Sequence, residues 1–327
     1  MTQTEQAIPI APLPAARNVH PDAAATGPSA LVTNALRTFF FVAARAPWLL
    51  RLIRPAGVRL AILFCRPLRD ATRANALRIF GKRLSRSEQS GFTRGVVANF
   101  YDFVADAGRS AQQTRQSLAS RIERVIGEPA YLAQRQRKRG AVLVTAHMGA
   151  FEVGLAALRG VESNVHVVFK RDPFPSFERL RAAVRQLLGV HEAPIDDGWP
   201  SLVRLRDALL ADGVVVMQGD RAMPGQRSQV VPLLHGSVRL PTGPVKLAQL
   251  TGSPIVPVFV VRTAGGRYEV HLCEAIEVES PDAVAGGDPV DVALRALANR
   301  IETFIAKYPQ QWLVLEPAFT EDEQRAD

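Results

Sequence analysis

Residues 141–152 of this chain read AVLVTAHMGAFE, and they decide how the rest of the sequence is interpreted. The run 141–145 is short, apolar and partly β-branched, which is typical of a strand buried in a sheet. A helical stretch begins near Phe151, so the segment predicts a strand, a loop and a helix in succession. His147 lies in that loop. Sites in open α/β sheets form at the carboxyl ends of the strands, and we expect His147 to lie at such a place.

Similar apolar runs follow downstream, with helical segments between them. The runs are 165–169, 214–217 and 255–261, and the helical segments begin near Ser176, Ser201, Pro244 and Val290. This alternation predicts an α/β fold with a mixed, mostly parallel sheet flanked by helices. Pro257 lies inside one of the runs, which favours a peripheral strand or a bulge at that point.

The N-terminal part of the chain has a different pattern. From residue 31 to residue 127 apolar residues recur at three-to-four spacing, which indicates helices, and we find no convincing strand. Residues 1–30 are rich in Pro and Ala, do not resemble a signal peptide, and are predicted to be a disordered tail. We therefore divide the rest of the chain into a helical, basic region at 31–127, an α/β domain at 128–319 and an acidic tail at 320–327.

Positive charge is concentrated in the first part of the chain. The formal net charge is +9; residues 1–140 contain 22 Lys and Arg against 8 Asp and Glu, whereas residues 141–327 contain 18 against 23. This asymmetry indicates an anionic partner, which would be phospholipid headgroups, nucleic acid or an acidic carrier protein. In 31–65 arginines interrupt Phe, Trp and Leu, and no uncharged run approaches the ~18 to 20 residues of a spanning helix. We expect 31–65 to lie in a membrane interface, the alternative being a core helix with a solvated basic face.

The cysteines and histidines exclude some classes of site. Cys65 and Cys273 are the only cysteines, and they form neither a disulfide framework nor a zinc-binding spacing. A reducing compartment is therefore expected. The histidines are scattered without a paired arrangement, and we expect no metal.

His147 and Glu152 are the first candidates for chemistry. Glu152 falls in the first turn of the helix after the loop, close enough in sequence to reach back to the imidazole. A carboxylate there would fix the tautomer of the ring and stabilise the imidazolium that forms when the other nitrogen accepts a proton. The alternative is a capping Glu beside an incidental His.

Four blocks, in order, resemble the lipid A biosynthesis acyltransferase family, part of the wider lysophospholipid acyltransferase superfamily. The blocks are Thr145-Ala-His-Met-Gly-Ala-Phe-Glu152, Gln218-Gly-Asp-Arg221, residues 231–261 with their Gly-Pro turn, and Ile301-Glu-Thr-Phe-Ile-Ala-Lys-Tyr-Pro-Gln-Gln-Trp312. The resemblance extends over most of 31–319, and the basic helical region is similar to the membrane-associating part of the family. Ala150, His235 and Gln310 depart from the family pattern, which leaves the acceptor open.

The resemblance implies an O-acyltransferase. His147 would deprotonate a hydroxyl that attacks a fatty acyl thioester, and Glu152 would hold His147. Asp220 and Arg221 are assigned to substrate binding. Arg221 is the first candidate for binding the oxyanion or an acceptor phosphate, although the pair could be a local salt bridge. Lys170 and Arg171 would bind phosphate or carrier groups, or form a solvated charge pair. No cofactor is implied beyond the acyl thioester, which is a co-substrate.

The expected partners are a thioester donor, a membrane lipid or glycolipid acceptor, and an anionic membrane surface. The donor is acyl carrier protein or acyl-coenzyme A, with the acidic carrier favoured by charge. The location implied is the cytoplasmic face of the bacterial inner membrane, with peripheral or monotopic attachment. One alternative is a lipid or thioester hydrolase that uses the same His–Glu pair. Nucleic-acid binding is disfavoured, because the arginines are mixed with Phe, Leu and Trp and form no recognisable nucleic-acid motif.

Overall fold

The computed structural model describes residues 30–279 and 288–323. Most of the predicted tail at 1–30 and the last four residues of the chain lie outside the described residues. The N-terminal helices are α1 (Ala30–Arg45), α2 (Pro47–Phe64), α3 (Arg66–Phe80), α4 (Arg86–Ser110) and α5 (Arg115–Ala119). Helices α1, α2 and α3 pack against the long α4. Helix α4 begins with a capping box, in which Ser85 and Glu88 each accept a hydrogen bond from the backbone of the other.

The remaining helices alternate with the strands or follow them. They are α6 (Glu128–Arg135), α7 (Phe151–Val161), α8 (Pro175–Leu188), α9 (Trp199–Leu210), α10 (Gly243–Thr251), α11 (Pro289–Lys307) and α12 (Thr320–Glu323). Short 3₁₀ turns lie at Ile195–Asp197 and Pro309–Gln311. Helix α12 falls in the predicted acidic tail, and its Asp322 forms an ion pair of 3.1 Å with Arg78 of α3.

A seven-stranded sheet forms the centre of the molecule. The strands within the described residues are β1 (Ile122–Ile126), β2 (Ala141–Thr145), β3 (Val165–Phe169), β4 (His191–Pro194), β5 (Val214–Gln218), β6 (Ser228–Leu233), β7 (Gly236–Pro241), β8 (Ile255–Arg262) and β9 (Tyr268–Leu272). The order in the sheet is β1-β9-β8-β2-β5-β3-β4, and β6 and β7 form a separate hairpin. Only the β8–β9 pair of the large sheet is antiparallel. The predicted mixed, mostly parallel sheet flanked by helices is confirmed.

The two faces of the sheet are both covered. All five residues of β2 are buried. Val142 and Val144 belong to the apolar core that includes α11, whereas Leu143 belongs to the core that includes α7 and α8. Burial on both faces explains why β2 is an uninterrupted apolar run rather than an alternating one.

Pro257 does not mark a peripheral strand. It lies in β8, which is an interior strand between β9 and β2. Residues 255–257 of β8 pair with β2, and residues 258–262 pair with β9. The proline stands where the strand changes its main partner, so its missing N–H removes little from either ladder.

The prediction that 31–127 contains no convincing strand is wrong at β1. This strand has the sequence Ile-Glu-Arg-Val-Ile, with a half-buried or exposed residue at every position. It lies at the edge of the sheet, where one face is solvated, and it therefore lacks the apolar run of a buried strand. The proposed domain boundaries themselves stay a prediction.

Among residues 30–279 and 288–323, no helix has both the length and the apolar content needed to cross a bilayer.

Candidate active site

Two neighbouring strands bring His147 and Asp220 together. Strands β2 and β5 are parallel, and Thr145 lies opposite Gln218 at their carboxyl ends. His147 and Asp220 each follow two residues later, so the segments after β2 and β5 place both side chains beyond the same edge of the sheet. The two residues are 73 positions apart in the sequence, and the pairing of β2 with β5 brings their side chains into contact.

The carboxylate of Asp220 is fully buried and accepts three hydrogen bonds. Its Oδ1 lies 2.7 Å from Nδ1 of His147. Its Oδ2 accepts from the backbone N–H of His147 at 3.1 Å and from Nε1–H of Trp312 at 2.8 Å. Because both oxygens are occupied by donors of fixed position, the carboxylate is held in one orientation.

This environment keeps Asp220 ionised. Complete burial by itself raises the pKa of a carboxyl group. The charge and hydrogen bonds of His147, together with the hydrogen bond from Trp312, outweigh that effect and lower the pKa of Asp220 to about 2. A negative charge therefore faces the imidazole throughout the neutral pH range.

The loop that carries His147 is fixed by its backbone. The carbonyl of His147 accepts a hydrogen bond of 2.8 Å from the N–H of Leu313, and Met148 forms a bridge with Trp312. Gly149 has φ of 60°, and a Cβ there would lie 2.1 Å from the carbonyl oxygen of Val260. Only glycine fits this close approach, and the tight turn directs the chain into α7.

Glu152 does not occupy the place expected of it. The imidazole Nδ1 is bonded to Asp220, whereas Glu152 is buried in the first turn of α7 with Oε1 3.6 Å from Nε of Arg181. Its ion pair joins α7 to α8. The physical reason is the pairing of the strands: β5 lies next to β2 and delivers Asp220 to Nδ1 of the ring, which leaves Glu152 to pair with Arg181 in the same cleft.

A cleft of about 960 Å³ opens beside His147. Its apolar lining includes Phe151, Leu155, Val167, Val184, Leu205, Met217, Leu247 and Leu250. The imidazole is one-quarter exposed, so it lies between this apolar cavity and the buried carboxylate behind it. The cleft has the size and the mostly apolar lining of a site for a small molecule or a lipid chain.

A family comparison decides what kind of protein carries this site. A model of the family described as bacterial lipid A biosynthesis acyltransferase matches residues 32–321. The chain belongs to this family. It is therefore an acyltransferase, and the resemblance found from the sequence blocks is confirmed.

Similar proteins share a glycolipid in their names. The chain is 26% identical over 261 residues to a phosphatidylinositol mannoside acyltransferase of Mycolicibacterium smegmatis, covering 79% of this chain and 82% of that protein. Proteins of the same name from the H37Rv and CDC 1551 strains of Mycobacterium tuberculosis are each 27% identical, over 211 and 218 residues. Those alignments cover 63% and 65% of this chain and 63% and 66% of the relatives.

The other predicted site residues of this acyltransferase line the same cleft. Arg221 directly follows Asp220, and one of its terminal nitrogens pairs with Glu316. Lys170 and Arg171 lie where β3 ends. Hydrogen bonding to Asp197, at 2.9 Å, raises the pKa of Arg171, so part of its charge is already neutralised. Lys170 is exposed, and no ion pair is found for it within the part of the chain that the structure describes.

Sequence reasoning missed the contact between His147 and Asp220, and the hydrogen bond that Trp312 donates to the same carboxylate. Asp220 was predicted to bind substrate, and Trp312 was noted as part of the closing family block without a role of its own. The usable signal was positional, because His147 and Asp220 each stand two residues beyond a buried strand. In the described residues, no group of three or more His, Cys, Asp or Glu side chains is placed to bind a metal ion.

Proposed function

We propose that this acyltransferase moves a fatty acyl chain from a thioester donor to a hydroxyl of a glycolipid, with His147 as general base. The observation that supports this most is the hydrogen bond between Nδ1 of His147 and the buried carboxylate of Asp220. It leaves Nε2 as the ring nitrogen that can accept a proton. Asp220 thus takes the orienting role that the sequence suggested for Glu152.

The reaction balances with these groups alone. Nε2 of His147 takes the proton of the acceptor hydroxyl as its oxygen attacks the thioester carbonyl. The tetrahedral intermediate collapses, the carbon–sulfur bond breaks, and the thiolate takes the proton back from the imidazolium. Asp220 stabilises the imidazolium between these steps and stays ionised, as its lowered pKa requires.

The intermediate also needs a positive group, and Arg221 is our candidate. It lines the cleft directly after the orienting aspartate, and its Nε is buried without a hydrogen-bond partner in the described structure. A fixed guanidinium in a water-poor site would stabilise an oxyanion more than it would in water. The phosphate of an acceptor headgroup is the other anion that it could bind.

Glu152 supports the site indirectly in this scheme. Its ion pair with Arg181 ties α7 to α8, and both helices wall the apolar cleft. We therefore propose that Glu152 holds α7 and α8 in place as walls of the cleft, and that it takes no part in proton transfer.

The donor that we propose is an acyl carrier protein rather than acyl-coenzyme A. Seven Lys and Arg residues line the cleft, and four of them are exposed, namely Lys170, Arg171, Arg227 and Lys246. Carrier proteins of this kind are strongly acidic, and complementary charge raises the rate of encounter in a salt-dependent way.

The acceptor class is a glycolipid. The relatives are named for phosphatidylinositol mannoside, a glycolipid that carries a phosphate. The family itself is described by lipid A, another glycolipid. We propose an acceptor of this general type, with a sugar hydroxyl as the nucleophile.

We also propose that α1 and α2 hold the protein on the cytoplasmic face of the inner membrane without crossing it. They carry large exposed apolar side chains, namely Phe41, Trp48, Leu52, Ile53, Leu60, Leu63 and Phe64. Arginines lie among them, and each would gain about 1 kcal/mol near an anionic leaflet. Such a surface is typical of an interfacial helix pair.

Sedimentation with anionic vesicles tests this surface. Trp48→Ser with Leu52→Ser should lower the bound fraction several-fold, because the inserted apolar area is lost. Leu210→Ser is the matched control, since Leu210 is equally exposed on α9, outside the membrane surface. Equal losses in the control, or none in the double variant, would contradict the proposal.

A transfer assay tests the chemistry. His147→Ala should reduce formation of acylated glycolipid by about 10² to 10⁴. It also removes a hydrogen bond from the buried carboxylate of Asp220, so it should be less stable, and the assay is run below its melting temperature. Mass spectrometry of both products separates transfer from hydrolysis, because a hydrolase would release free fatty acid instead of acylated acceptor. Near-full transfer by His147→Ala would refute the proposed role of the histidine.

A further inference from the structure

A second cleft, of about 420 Å³, opens between the N-terminal helices and the turn that joins β8 to β9. Among the described residues, none lines both this cleft and the cleft beside His147. Strand β8 is parallel to β2, so Arg262 at its carboxyl end lies at the same edge of the sheet as His147. The two clefts are therefore distinct but lie on the same side of the molecule.

The second cleft has an excess of positive charge. Four arginines line it and a fifth lies beside it, namely Arg51, Arg109, Arg121, Arg262 and, beside it, Arg54. They face two carboxylates, Asp102 and Asp106. Five guanidinium groups cannot be neutralised by two carboxylates, and a net positive charge remains.

The two carboxylates are already committed. Asp102 accepts two hydrogen bonds of 2.8 Å from Arg54 and a further one from Arg262. Asp106 forms a 2.6 Å ion pair with Arg121 and accepts from the hydroxyl of Tyr268. Asp106 also lies 3.6 Å from Arg109, so each carboxylate is shared between two guanidinium groups.

Two of the arginines are left with little compensation. Arg109 comes no closer than 3.6 Å to Asp106, and its pKa is lowered by burial and by the neighbouring guanidinium groups of Arg121 and Arg51. Arg51 is exposed, and no hydrogen bond or ion pair is found for it among the described residues. Nη1 of Arg121 is buried and lacks a hydrogen-bond partner in the same part of the structure.

The shape of the cleft suits a compact anion. Ala264, Gly265 and Gly266 form one wall, and these three described residues put no long side chain on that side of the cleft. Guanidinium groups bind phosphate through paired N–H donors, and a phosphate has enough oxygens to contact several of them.

We propose that this cleft binds the phosphate group of an anionic membrane phospholipid. Helix α2 supplies Arg51, and the same helix exposes Trp48 and Leu52 on either side of it in sequence. A lipid whose phosphate enters the cleft would place its acyl chains along these apolar side chains. The site would thus anchor the protein at the membrane surface, and it does not depend on the chemistry assigned to His147.

The test uses titration of the full chain with dihexanoyl phosphatidate, a water-soluble phospholipid, and with inorganic phosphate in parallel. Arg51→Ala should weaken phosphatidate binding about ten-fold, as expected for loss of one charge-assisted contact. Arg59→Ala is the matched control, because Arg59 is exposed on the same helix and outside the cleft. It should change binding less than about two-fold.

A second variant changes the wall of the cleft that residues 264–266 form. A Cβ at Gly265 would meet nothing closer than 3.8 Å, so Gly265→Asp adds a carboxylate with no clash at its Cβ. It should abolish phosphatidate binding, whereas Gly265→Ala should preserve it. Equal losses for Arg51→Ala and Arg59→Ala, or unchanged binding in Gly265→Asp, would overturn the site. Inorganic phosphate binding as tightly as phosphatidate would overturn the lipid assignment.

Discussion

Replacing Asp220 by Asn is the sharpest perturbation of the proposed catalytic network, because the structure determines which way the amide must point. Oδ2 of Asp220 accepts from two N–H donors, those of His147 and Trp312. In the variant the amide oxygen must take that position, since an amide nitrogen there would face two donors. The amide nitrogen is then left at the position of Oδ1, 2.7 Å from Nδ1 of the imidazole, and it can only donate.

The consequence is a reversed tautomer. Nδ1 must accept the amide N–H, so the proton of a neutral imidazole moves to Nε2, the nitrogen proposed to act as base. A ring with its proton at Nε2 cannot take one from the acceptor hydroxyl. We therefore expect turnover to fall by about 10² to 10⁴, with little change in the Michaelis constant of either substrate.

Asp220→Asn should also change the dependence of stability on pH. The pKa of Asp220 is lowered from 3.8 to about 2 in the folded protein, which corresponds to stabilisation on the order of 2 kcal/mol while the group is ionised. A lowered pKa stabilises the fold above the unfolded-state value, and this stabilisation is lost as pH falls from about 4 towards 2. Urea unfolding at pH 7 and near pH 3 should show the stability difference between the original protein and the variant narrowing at the lower pH.

Steady-state kinetics of acylated glycolipid formation, with nitrogen-15 NMR of the labelled histidine, completes the test. The NMR spectrum should report protonation at Nδ1 in the original protein and at Nε2 in the variant. Turnover within about three-fold of the original, in a variant whose tautomer has reversed, would refute the reasoning that links orientation to rate.

Three further predictions follow from the same geometry. Trp312→Phe removes one hydrogen-bond donor to the buried carboxylate and keeps an aromatic ring, so the free energy of unfolding should fall by about 1.5 to 3 kcal/mol in a urea titration. An unchanged free energy of unfolding would show that the Trp312–Asp220 hydrogen bond does not stabilise the fold. Glu152→Gln should lower the melting temperature and raise the apparent Michaelis constant for long acyl donors, with turnover reduced far less than in His147→Ala. A loss of turnover equal to that of His147→Ala would show that Glu152 takes part in the reaction. Lys170→Glu should raise the Michaelis constant for an acyl carrier protein donor more than Arg171→Glu does, because Arg171 is already paired with Asp197. Arg179→Glu is the control, since Arg179 is exposed on α8 and does not line the described cleft. Better use of acyl-coenzyme A than of the carrier protein, without salt dependence, would contradict the donor assignment.

The fold was predictable where the strands are apolar runs in the interior of the sheet. Strands β2, β3, β5 and β8 are apolar runs, and the sequence alone places them within one residue of their observed ends. Strands β1 and β4 were missed because they lie at the two edges of the sheet and carry charged or exposed residues. The β6–β7 hairpin was missed for a related reason, since it belongs to a separate two-stranded sheet with half-exposed residues.

The sequence by itself determined that His147 follows a buried strand in a tight glycine loop, and it identified the family. Only the tertiary structure decided which carboxylate holds the imidazole. Chain order suggests Glu152, which is five residues away, or the residues after β3, the next strand along the chain. In the sheet β5 lies between β2 and β3, so Asp220 is delivered next to His147 while Lys170 and Arg171 lie one strand farther off. The order of strands is set by which apolar faces pack together across the whole domain, and no local run of residues contains that information.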